Sequence, residues 1–599
     1  MILNWLDWSA IGLFLLMTLI IGLKFAGRAG KNIGEFLLAG RRLPWYIAGI
    51  SMVATTFAAD TPLAVTELVN SQGIAGNWLW WNFLIGGMLT TFFFARLWRK
   101  AEIFTDNELI ELRYKGKAAA FLRGFKSIYL GLFINAVVIG WVNKALITIL
   151  VVFFNIPETQ ALWYVAGAMV FTAAYASLSG LWGVAITDFV QFSIAMTGCI
   201  ILAVKMMMLP QVGGIEGLKT KLPEATLQFL PNVSFGGSSA SSIAGGLTIS
   251  LATFLAFIGV QWWASWYPGA EPGGGGYVAQ RMMSAKNEKH SLWATLFFQI
   301  AHYCIRPWPW ILVALAVIIV YPDPHNFTSA QLVDFHRHKY VMAMRDYLPA
   351  GLRGLLLVTF LAAYMSSVSS QLNWGASYLI NDFYKRFLRP EKSFSSVQKA
   401  QTNYVLVSRL ATLFIMVFCL FATTQMTSIS GAWSFVIECG AGLGLVLILR
   451  WYWWRINAWS EITATIVPFI VYGTLKFTGW LVYPYSFFAT VGITTISWLT
   501  VTFLTRPEKL ETLQNFYMRI RPEGGWGPVR DSLGIAAGKN RIPYLLLAWF
   551  SSIIMTYSIL FLIGNIIFAN WEWAAILFVT ALAGFLALRF SFKPAGISE

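Results

Sequence analysis

Long apolar runs recur along this sequence and restrict what it can fold into. Runs of roughly 20 residues begin at 8–23 and continue almost to the C-terminus. A helix of that length crosses the hydrocarbon core of a bilayer, and it also satisfies its own backbone hydrogen bonds, which lipid cannot do. The chain is therefore predicted to be an all-α polytopic membrane protein. The first run lacks a preceding basic stretch and a cleavage motif, so we interpret it as a retained helix.

The composition supports a membrane protein and argues against other classes. Of 599 residues, 57% are apolar and only 12% are charged, whereas soluble proteins carry about 25% charge. The net charge of +16 comes from basic residues in short loops, which the positive-inside rule explains without nucleic acid. The four cysteines show neither metal-ligand spacing nor a disulfide pattern.

About fifteen spans are predicted, numbered here from 0 to 14. They cover about 7–26, 44–70, 76–97, 124–154, 161–178, 182–209, 243–267, 292–320, 348–383, 404–422, 431–454, 461–477, 483–504, 542–568 and 571–588. With this count, the basic loops 24–31, 96–126, 281–289, 385–392, 450–455 and 506–541 all fall on one side. The N-terminus is therefore predicted outside and the C-terminus in the cytoplasm. Arg337, His338, Lys339 and Arg345 form a local exception in a loop on the outside.

A cluster of four serines lies inside span 8, at positions 366, 367, 369 and 370. A hydroxyl in hydrocarbon needs a partner, because an unpaired polar group costs several kcal/mol there. These serines could bond back to their own helix, pack helices closely, or provide hard oxygen ligands for a cation. The cluster alone leaves these three interpretations open.

Two spans are predicted to be broken. Span 1 carries Thr55, Thr56, Asp60 and Pro62 within an apolar run, and span 6 ends in the glycines 273–276. Broken helices near the midplane expose backbone groups that bind ions and solutes in transporters built from two inverted repeats. Ionisable residues within spans are candidates for a functional site, because a charge in the bilayer is costly. They are Asp60, Glu67, Lys144, Asp188, Glu271, Arg306 and Glu438. Each could instead be solvated or paired for structure alone.

Five motifs occur in an order that resembles a known family. They are FLLAGRRLPWYIAGISMVATTFAAD (36–60), TDNELIELRY (105–114), SLSGLWGVAITDFVQ (177–191), YVAQRMMSAKN (277–287), and AAYMSSVSSQLN with YLINDFYKRF (362–373 and 378–387). Together they resemble the sodium:solute symporters, which carry sugars, proline, sialic acid, myo-inositol and similar solutes. The resemblance covers roughly residues 1–505.

The resemblance implies a LeuT-type fold of ten core helices in two inverted repeats, with extra peripheral helices. Residues 1–505 would form the symporter core, with span 0, the ten core spans and two further spans. Residues 506–541 would form a cytoplasmic loop punctuated by Gly and Pro, and 542–599 a C-terminal helix pair. No P-loop occurs in the chain, which argues against an ATP-driven pump.

The resemblance also implies two cation sites. The family's general sodium site corresponds to the backbone carbonyls of Ala54, Phe57 and Ala363 and the hydroxyls of Ser366 and Ser367. A second site, present in some members, corresponds to Asp188, Ser366, Ser369 and Ser370. Hard oxygen ligands suit Na⁺. In the alternative interpretation of the second set, Asp188 only hydrogen-bonds the serine face and holds span 5 against span 8.

The solute site departs from the pattern of the sugar-carrying members. Their helix 1 Gln corresponds to Thr61, and their helix 2 Glu falls at or next to Trp81. Their helix 7 Lys has no assigned counterpart, and His302 and Arg306 are nearby candidates for it. The resemblance therefore does not imply that this protein transports glucose or galactose. The predicted solute-binding residues are Thr56, Asp60, Thr61, Trp81, Asn82, Gln261, Trp262, Trp263 and Glu438. Further plausible liners of the site are Trp80, Glu271 and Trp433.

We expect sodium-coupled symport, with one or two Na⁺, of a small polar organic solute such as a sugar, polyol, amino acid or carboxylate. Uptake into the cell would proceed by alternating access, without enzymatic chemistry. The expected location is the cell membrane, with the lipid bilayer and the solute as partners and with neither nucleic acid nor an obligatory protein partner. Proton-coupled symport and a transporter-like nutrient sensor are the alternatives.

Overall fold

The computed structural model describes residues 3–235, 240–242, 246–426 and 429–597, which are mostly helical. The first half contains helices α1 Trp5–Ala29, α2 Ile33–Leu38, α3 Trp45–Thr55, α4 Thr61–Gln72, α5 Ile74–Trp81, α6 Leu84–Ala101, α7 Leu109–Arg113, α8 Lys117–Phe154, α9 Glu158–Met207, α10 Gly214–Lys221, α11 Glu224–Leu227, α12 Leu251–Ala264 and α13 Gly276–Ser284. The second half contains α14 Glu288–Val320, α15 Ser329–Tyr347, α16 Leu352–Leu388, α17 Val397–Thr424, α18 Ile429–Cys439, α19 Gly444–Tyr452, α20 Ala458–Thr478, α21 Tyr485–Leu504, α22 Leu510–Ile520, α23 Gly527–Ser532, α24 Ile542–Ile567 and α25 Trp571–Phe592.

A small sheet precedes α12. Its strands are β1 Asn232–Ser234, β2 Ala240–Ser242 and β3 Gly246–Ser250, in the order β1-β3-β2. β3 pairs parallel with β1 and antiparallel with β2. The predicted start of span 6 near residue 243 lies outside the described residues. The helix itself begins at Leu251, where the side chain of Ser250 accepts a hydrogen bond from the backbone N–H of Thr253.

Nine helices in the described part of the chain are long and apolar enough to cross a membrane, or ten if α5 and α6, bent by 41°, form one span. The multi-pass architecture is therefore confirmed. The number of about fifteen spans stays a prediction. Counting helices by length and composition takes two joined spans as one helix and misses a span that is broken into short helices. Helix α9 covers predicted spans 4 and 5 together, whereas the two pieces of span 1 are each too short.

Both predicted breaks are present. The chain leaves the helix between α3 and α4 at residues 56–60, and again between α12 and α13 at residues 265–275. The second break requires a correction, since Arg281 was predicted to begin a basic loop. That prediction is wrong: Gly276–Ser284 is helical and all nine of its residues are buried. The second half of the broken helix therefore carries Arg281 into the core.

A glycine bends α9 where the sequence predicts two spans. Gly180 has φ 56° and ψ −164°, outside the helical region. A Cβ at this position would lie 2.9 Å from the carbonyl oxygen of Phe36 and 3.1 Å from the Cβ of Ala29. Gly180 therefore combines a backbone conformation that favours glycine with a close approach of the segment around α2.

The C-terminal segments pack against the core. Trp549 and Tyr557 on α24 donate hydrogen bonds to the carbonyl oxygens of Ile85 (2.9 Å) and Trp81 (2.9 Å). The indole of Trp526, between α22 and α23, donates to the carbonyl oxygen of Trp451 at 2.8 Å. Residues 506–541 are thus partly helical and docked. The division of the chain at residues 505 and 541 stays a prediction.

The basic exception on the predicted outer side consists largely of paired charges. Arg337 on α15 lies 2.7 Å from Glu67 on α4, and Lys339 lies 2.7 Å from Asp323. These acidic partners offset the positive charge of this segment locally. The orientation of the termini stays a prediction.

Substitution of Gly180 should be destabilising. We expect Gly180→Ala to lower stability by about 1–3 kcal/mol, because alanine tolerates neither this backbone conformation nor the contact with Phe36. Thermal unfolding of the detergent-solubilised protein measures the effect. Gly167→Ala on the same helix is the matched control, since its Cβ would meet nothing within 4 Å. Equal melting temperatures for the two variants would contradict the expectation.

Candidate functional site

A buried carboxylate and a buried guanidinium meet where four helices converge. The carboxylate of Asp188 on α9 accepts hydrogen bonds from the hydroxyls of Ser51 on α3 (2.5 Å) and Ser366 on α16 (2.7 Å). Arg281 on α13 donates to Ser370 at 2.5 Å and to Ser51 at 3.1 Å. One of its nitrogens lies 3.7 Å from Asp188, and both side chains are 0% exposed. We call these five residues the Arg281–Asp188 cluster.

The cluster joins the two broken helices to the two long helices beside them. Arg281 reaches it from the second half of one broken helix, and Ser51 from the first half of the other. Arg281 is absent from the residues expected at the site. Its signal in the sequence was an arginine within the largely apolar segment YVAQRMM, but that segment was assigned to a loop.

The residues predicted for the first sodium site lie around the break in α3–α4. The hydroxyl of Ser367 on α16 donates to the carbonyl oxygen of Thr55, the last residue of α3, at 2.9 Å. The backbone N–H of Phe57 donates to the carbonyl oxygen of Ala54 at 3.1 Å. Ala363 lies one helical turn before Ser367 on α16. The structure therefore brings α16 directly against the end of α3.

The residues predicted for the second site converge around Arg281, with one exception. Asp188 and Ser366 are bonded to each other, and the hydroxyl of Ser370 contacts both Arg281 and the hydroxyl of Thr55 (2.9 Å). The hydroxyl of Ser369 instead donates to the carbonyl oxygen of Ser366 on its own helix, at 3.1 Å. Any cation at this position would share Asp188 and Ser370 with the guanidinium.

A cavity of 230 Å³ lies next to the break. Among the predicted solute-binding residues, Thr56, Asp60 and Thr61 line it. So does Ser367, which places the cavity in contact with the expected sodium ligands. Its further lining includes Trp80, Trp141, Tyr267, His302, Tyr303, Arg306, Gln371 and Trp433. The cavity therefore combines aromatic walls with two ionisable side chains of opposite charge, Asp60 and Arg306.

The remaining predicted solute-binding residues lie outside the lining of this cavity: Trp81, Asn82, Gln261, Trp262, Trp263 and Glu438. Trp81 packs edge-on against Phe561 of α24, while its neighbour Trp80 lines the cavity. The amide of Asn82 donates to the carbonyl oxygens of Trp78 and Leu79. Helical register decides these positions, because adjacent residues of a helix point about 100° apart.

On α12, the two tryptophans before the break, Trp262 and Trp263, are not among the residues that line the cavity. The ring of Trp262 packs against Trp549 of α24, with centroids 5.6 Å apart. The cavity is lined instead by residues of the break itself, including Tyr267 and Gly269. The sequence of this segment has no hydrophobic periodicity that would predict its inward-facing residues, because the segment is not helical. Tyr303 and Trp141 lie on continuous membrane-spanning helices. Such helices are apolar on all sides, so their sequence pattern does not show which face lines a cavity.

The family model for the sodium:solute symporter family matches residues 36–467, more than half of the chain. The chain belongs to the sodium:solute symporter family. It is 23% identical over 468 residues to a sodium/glucose cotransporter of Vibrio parahaemolyticus, covering 75% of this chain and 80% of that protein. It is also 23% identical over 549 residues to solute carrier family 5 member 4B of Mus musculus, covering 84% and 80%.

A solved structure supports the fold of this symporter family member. A Na⁺-coupled sialic acid symporter in a substrate-bound outward-open state superposes with a TM-score of 0.64 at 20% sequence identity. The superposition covers 84% of this chain and 99% of the other. The predicted all-α, LeuT-type membrane fold is thereby confirmed.

The Arg281–Asp188 cluster predicts strong coupling between its two charges. Arg281→Gln should lower stability by about 3–5 kcal/mol, because it leaves the buried carboxylate without its counter-charge. The double variant Arg281→Gln with Asp188→Asn should be more stable than the single variant, since no uncompensated charge remains. Thermal unfolding of both single variants and the double variant measures the coupling. Additive losses would contradict a functional ion pair.

Proposed function

We propose that this sodium:solute symporter family member drives uptake of a small polar organic solute with the inward flow of Na⁺. The observation that carries this proposal is the contact between Ser367 and Thr55 at the wall of the cavity. An ion bound there would tie the broken helix to α16 beside the solute. Each Na⁺ that enters down a potential of about 100 mV releases about 2.3 kcal/mol, in addition to its concentration term.

The proposed first ion is held by the carbonyl oxygens of Ala54, Phe57 and Ala363 and the hydroxyls of Ser366 and Ser367. The break supports this assignment because it frees carbonyl groups that a continuous helix would use. In the described part of the chain, no backbone N–H bonds to the carbonyl oxygen of Phe57. Hard, neutral oxygens of this kind are typical ligands of alkali and alkaline-earth cations.

The remaining features of the proposal follow from the same assignment. Transport would occur by alternating access around the cavity, with no covalent chemistry on the solute. We place the protein in the cell membrane with its N-terminus outside and its C-terminus in the cytoplasm. The solute and the bilayer are its proposed partners, and no protein partner is required.

Removal of the Ser367 hydroxyl should abolish the response to sodium. In the wild type, NaCl should raise the melting temperature relative to KCl at equal ionic strength, because Na⁺ binds the folded state. Ser367→Ala should lose most of this difference. Ser377→Ala on the same helix is the matched control, because its hydroxyl donates to the carbonyl oxygen of Trp374 and, among the described residues, has no bond to the break. A full sodium response in Ser367→Ala would contradict the assignment.

A second ion is tested without disturbing the Arg281–Asp188 cluster. The hydroxyl of Ser369 donates to the carbonyl oxygen of Ser366 and also interacts with the side chain of Tyr175. Among the described residues it forms no hydrogen bond with Arg281 or Asp188, so Ser369→Ala leaves the ion pair intact. If two ions bind, the wild-type sodium titration is cooperative, and this variant should lower its Hill coefficient toward that of a single site. Titration of the melting temperature with NaCl measures the coefficient. A wild-type curve that already fits one site, or an unchanged coefficient in the variant, would count against the second site.

A further inference from the structure

The cavity contains a guanidinium that forms no direct ion pair with a carboxylate among the residues that the structure describes. Arg306, on α14, is 2% exposed and lines the cavity. Its guanidinium donates to the backbone oxygen of His302 (3.2 Å), to the ring nitrogen Nε2 of His302 (3.1 Å) and to the hydroxyl of Thr56 (3.1 Å). In the part of the chain that the structure describes, no Asp or Glu forms an ion pair with Arg306 within 4.0 Å.

The partners of Arg306 are all neutral. Because a guanidinium only donates, Nε2 of His302 must accept and therefore carries no proton. The other nitrogen, Nδ1, then carries the proton and donates to the hydroxyl of Thr56 at 2.9 Å. That hydroxyl donates in turn to the carbonyl oxygen of Val53 at 2.8 Å. The network orients Arg306 toward the cavity and leaves its guanidinium without a direct ion pair among the described residues. Asp60 is a carboxylate near enough to interact with it electrostatically.

Asp60 supplies the opposite charge on the same cavity. It immediately precedes α4 and is 4% exposed. Among the described residues, none forms an ion pair with it. A second, smaller cavity of 60 Å³ connects Asp60 with Arg337, but Arg337 is already bonded to Glu67 at 2.7 and 2.9 Å. Asp60 therefore keeps its charge available to the solute, where the N-terminus of α4 favours a carboxylate.

The cavity that Asp60 and Arg306 line is small, and its walls are mainly apolar. Trp80, Trp141, Tyr267, Tyr303 and Trp433 form aromatic walls. The volume of 230 Å³ lies below the roughly 300–1,000 Å³ of pockets for drug-sized ligands. The ring of Trp80 also stacks on Tyr303, with centroids 5.6 Å apart. A solute that fits combines a short apolar body with charged groups at its end.

We propose that the solute is a zwitterion of the amino acid class. Its carboxylate would pair with Arg306, its ammonium group with Asp60, and its side chain would contact the aromatic walls. An uncharged sugar would leave both buried charges unpaired, whereas a simple carboxylate or a simple amine would leave one of them unpaired. Guanidinium matches carboxylate geometry in two hydrogen bonds, and an ammonium group gains further from aromatic faces. This inference rests on the proposed function and specifies its solute.

The test is a thermal-shift titration of the purified full-length protein in NaCl and in KCl. The probes are the proteinogenic L-amino acids and D-glucose. The best-binding amino acid is then compared with two matched analogues, the carboxylic acid that lacks its amino group and the amine that lacks its carboxylate. We expect at least one amino acid to stabilise the protein in NaCl, and both analogues to bind at least about tenfold more weakly.

Variants assign each charge to its partner. Arg306→Gln should weaken binding of the amino acid by at least about tenfold and leave the affinity for the amine analogue unchanged. Asp60→Asn should weaken binding of the amino acid to a similar extent and leave the affinity for the acid analogue unchanged. Arg306→Lys retains the charge and should preserve part of the affinity, which distinguishes lost recognition from misfolding. The melting temperature without solute shows that each variant is folded.

Two results would overturn the inference. Either no amino acid stabilises the protein, or D-glucose or one of the analogues binds as tightly as the best amino acid. The sodium response without solute separates this failure from failure of the proposed function. If NaCl stabilises the wild type and Ser367→Ala abolishes the effect, sodium coupling stands even where the zwitterion fails.

Discussion

The ion pair between Arg281 and Asp188 is the interaction on which the central architecture depends. Neither side chain is exposed, and the desolvation of two charges is costly unless each finds its partners. Serines on α3 and α16 complete the cluster, so four elements must be in place before the charges are satisfied. This requirement fixes α13, the second half of a broken helix, against α9 and α16. The cluster thus positions both broken helices relative to the scaffold.

The two breaks determine where chemistry can occur. Irregular backbone at membrane depth is tolerated only where protein or a cavity satisfies its polar groups. In this chain, the break after Thr55 is contacted by Ser367 and opens onto the cavity, and the break after Ala264 contributes Tyr267 and Gly269 to the same cavity. The proposed sodium ligands and the proposed solute-binding residues therefore share one stretch of backbone. That proximity provides a physical basis for coupling, because an ion that tightens the break also reshapes the cavity.

Much of the fold was predictable from the sequence, because hydrophobic runs and glycine-rich or proline-containing interruptions have local causes. Both breaks and the convergence of Asp188 with Ser366 followed from such signals and from the family resemblance. Arg281 did not, and neither did much of the cavity lining, such as Trp141, Tyr267 and Tyr303. The burial of Arg281 depends on α13 returning into the core, which no local pattern of GYVAQRMMS reveals. Likewise, Trp80 rather than Trp81 lines the cavity because of the register of a short helix bent against its successor by 41°.

The central claim is that sodium binds between the break in α3–α4 and α16. Hydrogen–deuterium exchange of the purified protein in NaCl and KCl tests it most directly, because it reports local opening of backbone amides. The account predicts slower exchange in NaCl for peptides covering residues 54–61 and 363–371. Peptides from the C-terminal pair α24 and α25 should exchange equally in both salts. Identical exchange of residues 54–61 in NaCl and KCl would contradict the account.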